Sequence, residues 1–119
     1  MSPQTLVFAS LLQQAAQPDL LDWQALRVGV EIHLLYGQPA KGPAAALLRY
    51  APGAQVPEHQ HLGYEHILVL QGSQSDANGC HQSGTLLASP PQSRHAIISE
   101  EGCVVLAIWA GPLQFTNET

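Results

Sequence analysis

Positive charge is scarce in this chain of 119 residues: Arg27, Lys41, Arg49 and Arg94 face nine acidic residues, for a formal net charge of -5. No phosphate-neutralising stripe can be drawn from four scattered cations, so nucleic acid is excluded as a partner. The charged fraction, 11%, is less than half of the roughly 25% usual in soluble domains. With 45% hydrophobic residues, that leaves apolar surface to hide and points to a homodimer. No stretch approaches the ~20 apolar residues of a membrane span. The N-terminus MSPQTLVFASLLQQ has no basic leader region, so the expectation is a cytoplasmic protein with no membrane partner. Cysteine is limited to Cys80 and Cys103, read as free thiols in a reducing compartment. G-x-S-x-G is absent, and no Ser-His-Asp set or carboxylate pair is legible, which removes serine hydrolases and glycosidases.

What is present is a rhythm. Glycine and proline break the chain at short intervals, and between them lie β-branched and leucine-rich runs at 28–35, 44–50, 65–71, 84–88, 94–99 and 103–110. Such runs are too short and too closely bounded for helices and read as all-β, a sandwich or barrel in one domain. Residues 5–16 are mixed; TLVF suits an edge strand, followed by a turn or one short helix. Segment 1–27 is expected to pack on the barrel or on a dimer partner, and 28–119 to form the barrel. Several runs are apolar on both faces, so the outer face of the sheet wants cover.

Histidine carries the chemistry. His59 and His61 are two apart and share a face of a strand, and Glu65 keeps the same parity across Leu62-Gly63-Tyr64. Two imidazoles and one carboxylate form a facial N, N, O set for a divalent transition metal, and His95, after Pro90-Pro91, supplies a fourth ligand from another strand. About two positions of an octahedron then remain open for water, substrate or dioxygen. A buried unpaired carboxylate is costly, so ligation accounts for Glu65 better than a structural role. By parity His66 and Arg94 face away from the metal. Tyr64 is a candidate proton donor at the rim, and Arg49 and Trp109 are candidate substrate contacts. Trp23 is expected to pack the N-terminal segment against the barrel.

The run GAQVPEHQHLGYEHILVLQG, Gly53 to Gly72, resembles the first cupin motif: Gly, five residues, His-x-His, three residues, Glu, six residues, Gly. The run GTLLASPPQSRH, Gly84 to His95, resembles the second, departing from it at Gln92, where the motif has glycine, and at Ser99, where it has asparagine. The longer phrases around both runs resemble the cupin-like domain of the ChrR type. The resemblance implies a cupin double-stranded β-helix, or jelly-roll β-barrel, with His59, His61, Glu65 and His95 as ligands of one divalent ion: iron, zinc, manganese or nickel. It also implies a small-molecule ligand or substrate. Two functions follow, a metalloenzyme such as a dioxygenase with Glu65 moving a proton, or a non-catalytic zinc-binding or sensing domain. The helical zinc domain of a ChrR-type anti-sigma factor has no counterpart here, since no cysteine precedes Cys80; the expectation is a protein that is not itself an anti-sigma factor.

Overall fold

In the computed structural model, which describes residues 2–115, alternation of apolar and polar side chains produces ten strands after a short helical start. The start is α1 (Leu11–Ala16) and a single 3-10 turn (Pro18–Leu20). The strands are β1 (Gln24–Arg27), β2 (Val30–Gly37), β3 (Ala44–Tyr50), β4 (Ala54–His61), β5 (Glu65–Asp76), β6 (Gly79–Gln82), β7 (Leu86–Ser89), β8 (Arg94–Ser99), β9 (Cys103–Trp109) and β10 (Leu113–Phe115). Residues 116–119, expected in the barrel, lie outside the described residues. No helix of the described residues is long and apolar enough to cross a membrane.

All pairings are antiparallel, in the order β1-β2-β3-β9-β5-β8-β4-β10, with β6 and β7 also on β5. The long strand β5 joins the two halves of the curled sheet. Its first part pairs with β9 and β7, and its second with β6 and β8. A register shift between Val69 and Gln71 marks the change, as expected where a strand bends from one sheet into another. The interior is filled by alternate residues of these strands, among them Val30, Leu48, Val56, Ile67, Ile97 and Val105.

The outer face of β3, β5 and β9 is apolar as well, through Leu47, Leu70 and Val104. Helix α1 covers it with Ala15 and Leu11, and Trp23 packs there too, its indole N–H donating to the Pro18 carbonyl at 2.7 Å. The cover that the sequence asks for is therefore supplied within the chain. The edge strand expected at TLVF does not form. Leu6, Val7 and Phe8 are exposed, because the free edge of β2 is taken by β1.

Gln92 shows how the fold absorbs a departure from the family's pattern. Ser93 N–H donates to the Pro90 carbonyl at 3.2 Å, closing a turn over Pro90-Pro91-Gln92-Ser93, and Gln92 has φ +77. Proline followed by a positive φ is the pattern of a type II turn, which favours glycine at its third position. The side chain recovers part of the cost by accepting a hydrogen bond from Gln60 Nε2 at 2.9 Å. Left-handed backbone costs a non-glycine residue roughly 1–2 kcal/mol. Gln92→Gly is therefore expected to raise unfolding free energy by up to about 1 kcal/mol in urea titrations; a clear loss of stability would show that the Gln60 contact outweighs the backbone strain.

Candidate metal centre

Four side chains from three strands meet inside the barrel. Strand β4 would not turn its histidines inward on simple alternation from Ala54 and Val56. Its register with β8 shifts between Val56 and His59, so Val56, His59 and His61 all end up buried while Pro57 and Glu58 face out. Proline at the irregularity removes a donor from a ladder already broken there. His95 of β8 is the direct cross-strand partner of His59. Glu65 opens β5 opposite Trp109 of β9. The turn between His61 and Glu65 is held against the next one: Ala110 N–H donates to the Tyr64 carbonyl at 2.9 Å and Leu62 N–H to the Pro112 carbonyl at 3.2 Å. A Cβ on Gly63 would lie 2.7 Å from the Gly111 nitrogen, so only glycine allows this approach.

The ligand atoms of His59, His61, Glu65 and His95 all lie within 4.8 Å of one another. Donors about 2.0–2.2 Å from a shared ion stand roughly 3–4 Å apart, so small side-chain shifts close this set on a metal. His61 Nε2 is 3.1 Å and His95 Nε2 3.5 Å from Glu65 Oε1. His59 Nδ1 donates to the Pro57 carbonyl at 2.9 Å, which leaves its Nε2 as a lone pair. His61 Nδ1 faces the Ser93 carbonyl at 3.1 Å and Ser93 Oγ at 2.9 Å, and that hydroxyl already donates to the Pro90 carbonyl at 2.6 Å. Nδ1 of His61 must then be the donor, and its neutral form turns a second lone pair toward the carboxylate. Nε2 of His59 and of His95 are buried without a hydrogen-bond partner. Buried ring nitrogens without a partner, gathered beside a carboxylate, are costly unless a cation lies among them. The residues present fit a divalent ion.

The comparisons with known proteins give the family and the fold. Residues 12–114 match the model of the ChrR cupin-like domain. The chain belongs to that family. It is 36% identical over 98 residues to the anti-sigma-E factor ChrR of Cereibacter sphaeroides, a match covering 80% of this chain and 45% of that protein. It thus spans less than half the length of that curated relative. The structure of Rhodobacter sphaeroides SigE in complex with the anti-sigma ChrR is similar at 27% identity and a TM-score of 0.62, over 90% of this chain and 69% of that one. An acetylacetone dioxygenase from Acinetobacter johnsonii shares the fold, with a TM-score of 0.77 at 14% identity over 99% of this chain and 81% of that one.

The electrostatics of this cupin favour the ligand forms of His59, Glu65 and His95. Burial lowers the His95 imidazole to about 4 and also lowers His59. Burial alone would raise the Glu65 carboxyl; in the metal-free site the contact with His61 Nε2, when that nitrogen holds a proton, together with His95 and the Trp109 bond holds it below its usual value. Trp109 Nε1 donates to Glu65 Oε2 at 2.7 Å, leaving Oε1 toward the imidazoles. Beside the cluster is a cavity of about 420 Å³, bounded by His59, Glu65 and Trp109 on one side and by Leu48, Ile67 and Phe115 among its apolar walls.

Of the other residues singled out from the sequence, Trp109 reaches the site, as the partner of Glu65 and as cavity wall. Arg49 does not. The alternation that turns Leu48 and Tyr50 inward turns Arg49 outward, where it binds Glu31 at 2.9 Å and Asp19 at 2.8 Å and stacks over Trp23. Tyr64 is half exposed and stacked on His66, outside the cavity lining, because the turn carries it to the outer face. Arg94 faces away from His95, toward Glu58. Cys80 is exposed and Cys103 buried, both free. His81 pairs with Asp76 at 2.9 Å rather than with Cys80. Among the cavity residues that went unrecognised in the sequence are Arg27, Tyr50 and Phe115. Strand alternation from Leu48 gives a signal for Tyr50; for Arg27 and Phe115 there is none.

The depressed imidazoles make metal-free stability depend on pH. In the folded chain His95 stays neutral to about 4, whereas the unfolded chain binds that proton below about 6.5, so stability rises with pH across the interval. Glu65, lowered when folded, acts in the same direction below its unfolded value. The urea midpoint of the metal-free protein is expected to fall steadily from pH 7 to pH 4.5; a flat profile would contradict this electrostatic account.

Proposed function

We propose that this chain is a metal-dependent enzyme acting on a small oxygen-bearing compound, of the dioxygenase type, with a ketone or phenol as substrate. The observation that carries the reading is the juxtaposition of the His59, His61, Glu65 and His95 set with an apolar cavity of about 420 Å³. An inert metal staple needs no such chamber, and catalytic sites differ from structural ones in keeping an open position. A bound divalent ion would supply Lewis acidity or dioxygen activation.

The chain's own residues do the rest. His59, with its Nδ1 tied to the Pro57 carbonyl, and His61, tied to Ser93, hold fixed tautomers. Apolar walls exclude water, which strengthens the field of the site on whatever enters. Glu65 is the base: one oxygen is anchored by Trp109, and the other lies among the imidazoles, at the cavity's edge, where it takes a proton from an incoming substrate.

A second reading has its own support, since the 36% identical relative is an anti-sigma factor. On that reading the domain binds zinc and senses a small molecule without turnover. Homodimer formation and cytoplasmic location remain part of the proposal; the low charge and the exposed Leu34, Tyr36, Leu86 and Ile108 favour a self-contact.

An oxygen electrode separates the two readings. Protein loaded anaerobically with iron(II) or manganese(II) is expected to consume dioxygen on addition of a small ketone, diketone or catechol, and Glu65→Gln to slow this by about 100-fold or more. Tight zinc binding with no uptake on any of them would favour the sensing role, and full turnover with full metal in Glu65→Gln would remove the carboxylate as base.

A further inference from the structure

The walls of the cavity also say what kind of molecule it takes. Almost all of the lining is hydrocarbon or aromatic, including Leu26, Val56, Ile97 and Leu113. A sugar or polyol placed there would leave hydroxyls unpaired at about 1–3 kcal/mol each. An anion would meet the ionised Glu65 carboxylate. Arg27 is the one arginine or lysine in the lining, and its guanidinium is stacked 4.5 Å over the Phe115 ring and held by further interactions.

One polar group in the cavity has no assigned work. Tyr50 is 4% exposed, its side chain is part of the lining, and its hydroxyl makes no hydrogen bond among the described residues. Burial, together with Cys103 and Glu65, pushes its ionisation far upward, so it is a neutral phenol with a proton to give at any physiological pH. The hydroxyl is not among the sealed, unpaired atoms of the interior, so it is open to a partner from outside the chain, and Tyr50 lines the same chamber as His59 and Glu65.

We propose that Tyr50 is a ligand-binding residue and that the cavity selects neutral, mostly apolar carbonyl compounds, whose oxygen accepts the Tyr50 hydroxyl proton in a hydrogen bond. The inference rests on reading this cavity as the small-molecule site of the proposed function. Its test needs no turnover, so failure of ligand selection and failure of catalysis are seen separately.

Acetophenone, ethylbenzene and benzoate share one shape and differ in the group that matters. Calorimetry is expected to show the metal-free protein, in which no cation competes for the ligand oxygen, binding acetophenone about fivefold to tenfold more tightly than ethylbenzene, the worth of one hydrogen bond, and benzoate least of all. Tyr50→Phe is expected to abolish the ketone's advantage and leave ethylbenzene unchanged. In the wild-type protein, the infrared carbonyl band of bound acetophenone is expected below its position in a hydrocarbon solvent, with the shift persisting after the metal is removed. The proposal is overturned by preferential binding of benzoate, by an unaltered ketone preference in Tyr50→Phe, or by a carbonyl band that does not move in the metal-free protein.

Discussion

A carboxylate buried inside a β-barrel is the constraint on which this structure turns. Glu65 is 3% exposed; its Oε2 accepts the Trp109 indole N–H, and its Oε1 faces the Nε2 atoms of His61 and His95. Those partners cannot all be satisfied by protons. His61 gives its one neutral-form proton to Ser93, and the Nε2 atoms of His59 and His95 have no hydrogen-bond partner. A divalent cation would resolve this surplus of acceptors, and the lowered basicity of His59 and His95 keeps them available for it.

Placing the carboxylate there imposes conditions on the strands. The irregularity of β4 at Pro57 and Glu58 is needed to turn His59 and His61 inward below Val56, and the same proline supplies the carbonyl that fixes the His59 tautomer. The tight turn through Gly63, packed against Gly111, delivers Glu65 to β5 within 3.1 Å of His61. The turn through Gln92 presents Ser93 to the far side of His61, and the strain of its left-handed backbone is the local cost of the fold. Two tight turns and one bulge thus set the site, while the long strand β5 binds it to both halves of the curled sheet.

Much of this was legible in the residues. The spacing of His59, His61 and Glu65 with His95 carried the four-residue cluster, and the punctuated apolar runs carried the fold. Parity correctly sent His66 and Arg94 outward. The same rule, applied along β3, sends Arg49 out and Tyr50 in, so that error was one of application rather than of information. Other features are not local. The covering helix competes with a strand at similar propensity, and tertiary contact with Leu47, Leu70 and Val104 decides the outcome for α1. The bond from Trp109 to Glu65 spans 44 residues and leaves no pattern in the sequence. The extension of β5 to Asp76 through Gly72 and polar residues likewise depends on partners, β6 and β8, that local composition does not announce.

The central claim is that the surplus of acceptors around Glu65 exists to hold a metal. Elemental analysis of untagged protein purified without chelators and under low oxygen tests it most directly, with His61→Ala as the control. The account predicts close to one equivalent of a transition metal in the wild type and a large loss in the variant. Folded wild-type protein that carries no metal and takes up none from added iron, manganese, nickel or zinc would contradict it.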